Sequence, residues 1–274
     1  MTSAYPPGVP RPGRPYPRRA RSRARRPHPR GLLAVLAGLV ALAAGAALIL
    51  GAVLAGIGGE PTGQGAGTAA STEPGGPTDD PTGVPTSGSG RFAAATGQSP
   101  VRGAGGPVHR YRVLVERGTG QDPDAFATAV DDALGDPRSW IASGELRVRR
   151  VTDEVDADFT VYLATPATSE RMCALGGLST ERYTSCRLPG QVIINLARWM
   201  EAVPDYDAPL EVYRAYVVNH EVGHEFGELH EACPGLGEPA PVMQQQTYGL
   251  DGCVANAWPY LDGVRYVGEP TAGL

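Results

Sequence analysis

Three of the chain's five histidines lie in "HEVGHEFGELH", at positions 220, 224 and 230. On a helix, residues four apart stand one above the other, so His220 and His224 aim their imidazoles at a common point. Glu221 is one residue round from His220, near enough to reach a water at that point. This is the H-E-x-x-H arrangement for zinc, with the glutamate as general base. A tetrahedral catalytic zinc takes three protein ligands and leaves its fourth position for water. Gly227 supplies the route to the third ligand. A glycine three residues after His224 can take the left-handed conformation that ends a helix, and His230 then swings back onto the metal. The expected cofactor is Zn²⁺ on His220, His224 and His230, with Glu221 as the catalytic base.

The same residues carry a resemblance. His220, Glu221, His224, Gly227 and His230 match H-E-x-x-H-x-x-G-x-x-H, the signature of the metzincin metalloproteases, which pair it with a downstream methionine turn. "APVMQQQ" offers Met243 for that turn. The wider pattern, with its apolar N-terminal stretch and Pro/Gly-rich linker, is similar to an actinobacterial family of membrane-anchored metzincin-like domains, over about residues 108 to 262. The resemblance implies a zincin-like α+β fold. A twisted mixed sheet and two main helices would lie above a cleft, with an irregular C-terminal subdomain below it. It also implies that Met243 forms an apolar floor under the ligands. Some metzincins place a zinc-approaching tyrosine two residues after the turn methionine. Here that position is Gln245, and the nearest tyrosine, Tyr248, is the candidate for assisting the transition state.

The elements that must position these residues are visible in the patterning. In "HRYRVLVERG", Tyr111, Val113 and Val115 alternate with Arg112, Leu114 and Glu116, as in a half-buried strand. "DPDAFATAVDDALGD" opens with Asp122 as a helix N-cap and Pro123 at the first helical position, and Phe126, Val130 and Leu134 form one stripe. Further strands are expected at 145 to 151, 158 to 164 and 191 to 197, with the Cys-bearing stretch between the last two reading mostly as loop. The motif helix is expected to start at Asp207 as N-cap, with Pro209 and Glu211 in its first turn.

Ahead of this domain the composition changes twice. The first thirty residues carry nine arginines, no acidic residue and eight prolines, which reads as a disordered basic tail. Residues 31 to 58 hold only Leu, Ala, Val, Ile and Gly, long enough to cross a bilayer as one transmembrane helix. A cleaved signal peptide is the alternative, although its apolar core is usually shorter, about 7 to 15 residues. With the arginines just before the span, the N-terminus stays cytoplasmic and the rest is extracytoplasmic at the cell membrane. Residues 59 to 107, rich in Gly, Pro, Thr and Ser, read as a flexible linker with a reach of roughly 40 Å. The catalytic domain would then occupy 108 to 274. All 29 acidic residues follow Gly59, which leaves that portion strongly negative and excludes nucleic acid as a partner.

Cys173, Cys186, Cys233 and Cys253 all fall beyond the apolar span, and none forms a C-x-x-C pair. An even count in an oxidising compartment favours disulfides, and neighbour pairing closes the shortest loops. Glu225, Glu228 and Glu231 crowd the motif, either as solvated carboxylates or with one of them supporting a ligand histidine. His28 and His109 are given no role.

The expected function is a membrane-anchored, extracytoplasmic zinc endopeptidase acting on a peptide or protein, with cell-wall peptide among the candidates. The alternatives are a non-catalytic zinc-containing binding module at the cell wall and a cell-wall peptide amidase.

Overall fold

The computed structural model describes residues 83 to 271. The tail expected at 1 to 30 and the transmembrane helix expected at 31 to 58 lie outside the described residues. Among the described residues, no helix is long and apolar enough to cross a membrane.

The architecture is α+β. Six strands form one mixed sheet: β1 (Phe92–Ala94), β2 (Val108–Glu116), β3 (Arg147–Arg150), β4 (Phe159–Ala164), β5 (Cys186–Leu188) and β6 (Gln191–Asn195). The order is β1-β2-β4-β6-β5, and β3 shares the outer side of β2 with β1. Strands β2, β3, β4 and β6 run parallel, while β1 and β5 run antiparallel to their neighbours. The helices are α1 (Pro123–Gly135), α2 (Pro166–Ala174), α3 (Leu196–Glu201) and α4 (Leu210–Glu225). Beyond α4 the chain is irregular apart from a hairpin of β7 (Tyr260–Leu261) and β8 (Val264–Arg265). That hairpin turns through Asp262 and Gly263, both at positive φ, as a two-residue turn between twisted strands requires.

The alternation in β2 holds for Tyr111, Val113 and Val115, which are buried, and breaks at Glu116, which is buried as well. Together with Val161, Leu163, Val192 and Ile194 they meet Phe126, Val130 and Leu134 of α1 and Tyr213, Val217 and Val222 of α4. This is the main core. Residues of opposite parity, such as Ile193, face a smaller cluster with Cys173, Cys186 and Leu188, so α2 covers the other side of the sheet. Helix α1 starts as expected, with the Asp122 side chain accepting from the backbone N–H groups of Asp124 and Ala125.

Three expectations change. The Cys-bearing stretch forms helix α2 and strand β5, both short and polar enough to escape a periodicity reading. Asp207 does not cap the motif helix. It sits at φ +57, Pro209 takes the cap position, and the helix begins at Leu210.

The stretch 83 to 107, linker-like in composition, carries β1 and packs on the domain. Gly90 N–H donates to the buried Glu116 carboxylate at 2.6 Å, and that carboxylate also accepts from Thr165 and Thr168. A side chain at Gly88 would collide with the same group. A glycine is needed at 88 because the backbone itself packs against the buried Glu116 side chain.

Candidate metal centre

Helix α4 carries two of the histidines, and its neighbours fix its rotation. Asn219, just ahead of His220, is fully buried; it accepts from Ser139 Oγ at 2.7 Å and donates to the Ala257 carbonyl at 3.1 Å. Trp140 Nε1 donates to the Asn219 carbonyl at 2.9 Å. With that residue pinned, His220 and Glu221 are buried and His224 opens onto a cleft.

The helix stops where the sequence indicates. Gly227 has φ +96 and its N–H donates to the His224 carbonyl, so the chain reverses and returns His230 toward the helix. The three imidazoles converge. Ring centroids are 4.8 Å apart for His220 and His224, 5.4 Å for His220 and His230, and 4.6 Å for His224 and His230. One nitrogen from each ring lies within 4.8 Å of the others, and the Nε2 atoms of His224 and His230 are 3.0 Å apart.

Two backbone carbonyls orient the rings. His220 Nδ1 lies 2.8 Å from Val242 O, and His224 Nδ1 lies 2.9 Å from Glu228 O. A carbonyl only accepts, so each Nδ1 carries the proton and each Nε2 lone pair points into the shared space. That is how ligating histidines are fixed. Burial pushes the His220 imidazole down to about 3, aided by its neighbour His224. Burial likewise lowers His224, and it brings His230 to about 4. All three are therefore neutral, which is the ligating form. Tetrahedral nitrogen ligands at about 2.0 to 2.1 Å from a metal stand roughly 3.4 Å apart, inside the spread found here. These residues fit a metal ion.

Glu221 lines the same cleft, and burial pushes its carboxyl up to about 8. A cation on the histidines would favour its ionised form.

The methionine loop is built onto α4 by side chains that composition does not advertise. Tyr206, Tyr213 and Tyr216 reach Gln246 Oε1, Thr247 Oγ1 and the Gln244 carbonyl at 3.0, 2.9 and 3.1 Å. Gln246 Nε2 then donates to the Asn256 carbonyl at 2.7 Å. Met243 is fully buried, and its carbonyl accepts from Glu231 N–H, next to His230. Gly223, between the two helical histidines, lets this loop approach: a Cβ there would sit 2.6 Å from both Met243 Sδ and Trp140 Cζ2. The motif leaves that position free, so sequence reading passed over it.

The cysteines pair as neighbours, Cys173 with Cys186 and Cys233 with Cys253, consistent with an extracytoplasmic domain. The first bond ties α2 to β5, which forms one wall of the cleft, and the second brackets Met243. The three glutamates in and just after the motif are not simply solvated. Glu225 pairs with Arg187 of β5 at 2.6 Å, and Glu228 and Glu231 pair with Arg265 at 3.2 and 3.1 Å. The group that supports His224 is the Glu228 backbone rather than its carboxylate. Tyr248 stands at the cleft rim, 46% exposed, with its ring 6.0 Å from that of Tyr183.

The cleft has a volume of about 380 Å³ and is walled by residues 178 to 180 and 184 to 187, by residues 227 to 230, and by Gln245, Thr247 and Tyr248. A family model described as a protein of unknown function (DUF3152) matches residues 78 to 258, more than half of the chain. No curated protein and no solved structure matches it.

Proposed function

The chain belongs to the DUF3152 family, a membership that carries no activity with it, and we propose one from the site: a zinc-dependent endopeptidase of metzincin type, anchored to the membrane and acting outside the cytoplasm. The observation that carries this reading is the convergence of His220, His224 and His230 beside the buried Glu221 in a single open cleft. His220, His224 and His230 would hold zinc. When bound, zinc supplies a Lewis acid that polarises a carbonyl and acidifies water.

The remaining work falls to the chain's own groups. Glu221 takes the proton of the attacking water on its carboxylate and passes it to the leaving nitrogen. The free edge of β5 offers unpaired backbone groups to an extended peptide, which adds as a further strand. Met243 and Gly223 hold the floor that keeps the imidazoles in place, and Tyr248 is placed at the rim to donate toward developing charge. The two disulfides and the apolar stretch 31 to 58 support the extracytoplasmic, anchored placement.

The test is incubation of the zinc-loaded chain with an unstructured polypeptide, reading new amino termini. The expected result is internal cleavage that stops on chelation and returns with zinc. A chain that binds zinc and releases no new termini would overturn the reading.

A further inference from the structure

Ten large apolar side chains are exposed among the described residues, and three of them, Leu178, Leu229 and Tyr248, line the cleft at 43%, 73% and 46% exposure. They come from three separate segments: the approach to β5, the turn between Gly227 and His230, and the loop after Met243. Exposed apolar surface gathered around a concavity marks a place where something apolar binds.

The backbone beneath these side chains is fixed. Leu229 stands between Glu228, whose carbonyl holds His224, and His230. Leu178 N–H donates to the Cys173 carbonyl, and two residues on, Thr180 N–H donates to Glu170 at 2.9 Å. Tyr248 rests against Tyr183. These groups are held in the open by their own anchors.

Two charged groups of the cleft walls, Arg187 and Glu228, are already matched. Arg187 is paired with Glu225 at 2.6 Å, and Glu228 with Arg265 at 3.2 Å. A charged side chain entering beside them would lose water and find both groups already engaged. A bulky apolar side chain would cover Leu178, Leu229 or the Tyr248 ring and release water from both surfaces.

We propose that the cleft selects an extended peptide carrying bulky apolar side chains beside the histidines, in preference to peptides of small and charged residues. The selection rests on the peptidase reading for what happens to the peptide, but not for its binding.

The experiment uses the full chain in lipid nanodiscs, zinc-loaded and carrying Glu221→Gln so that binding is read without turnover. Two fluorescent peptides of equal length are titrated by anisotropy against empty nanodiscs as blank. One alternates Leu and Phe with Ser, and the other is built from Ala, Glu and Lys. The apolar peptide is expected to bind about tenfold or more tightly, and Leu178→Ser with Leu229→Ser should remove most of that preference while zinc content and thermal midpoint hold. Equal binding, binding of neither peptide, or a preference that survives the double substitution would overturn the proposal. Cleavage by the wild-type chain is scored separately: an apolar peptide that binds selectively but is never cut would overturn the peptidase reading and leave this selection standing.

Discussion

The Nδ1 of His220 lies 2.8 Å from the carbonyl oxygen of Val242, one residue ahead of the fully buried Met243. Through that bond the methionine loop sets the tautomer and orientation of a histidine on α4. The next carbonyl, that of Met243, accepts from Glu231 N–H and so steadies the segment bearing His230. Loop and histidines therefore form one unit, and a disturbance of their packing should be felt by the metal they would hold.

Gly223→Ala tests that unit. Its Cβ would press on Met243 and Trp140, both buried in the core. Overpacking of this kind costs about 1 to 3 kcal/mol. Chemical denaturation should show that loss together with weaker zinc binding in equilibrium dialysis. Wild-type zinc affinity in the variant would show that the loop does not govern the ligands.

Removing a ligand should separate from removing the base. His220→Ala, His224→Ala and His230→Ala are each expected to lower bound zinc well below one per chain, as measured by elemental analysis after dialysis. Glu221→Gln should keep it, because Glu221 is not among the three converging groups. Zinc retained in all three histidine variants would place the metal elsewhere.

The Arg187–Glu225 pair joins the cleft strand β5 to the end of α4 at 2.6 Å, and Glu225 also accepts from Gly190 N–H. Both side chains are mostly covered, so deleting one partner should cost about 1.5 to 3 kcal/mol. Exchanging them, Arg187→Glu with Glu225→Arg, should restore part of that loss in a double-mutant cycle. Strict additivity of the two single substitutions would show that the pair does not couple strand and helix.

An acid-side prediction follows from Asp136. Hydrogen bonds from Arg138, whose guanidinium also covers Trp258, hold the Asp136 carboxyl below its ordinary value. A folded value below the unfolded one gives a contribution that is complete above the ordinary carboxylate range, near pH 4, and is lost as pH falls through the folded value. Thermal midpoints should therefore drop more steeply in acid for the wild type than for Asp136→Asn. Parallel curves would contradict it.

What could be read in the sequence was whatever depends on short-range spacing. Two histidines four apart need only a helix to converge, and Gly227 needed only its own conformational freedom to return His230. Asp122 and Pro123 marked a helix start by local chemistry alone. The rest depends on contacts far along the chain. Nothing near His220 foretells that its partner is the Val242 carbonyl, and nothing near Gly223 foretells Met243. The glutamines of the methionine loop look like surface residues until three tyrosines from α4 and the segment before it meet that loop. The glycines at 88 and 90 resemble linker until the buried Glu116 gives them a partner. The Asp262–Gly263 turn is legible by its dipeptide.

The central claim is hydrolysis of peptide bonds with Glu221 as the base. Its most direct test is digestion of a mixed peptide library by the zinc-loaded chain and by its Glu221→Gln variant at matched zinc content, read by mass spectrometry. The first is expected to make internal cuts and the second none. Equal cutting by both, or no cutting by a chain shown to hold zinc, would contradict it.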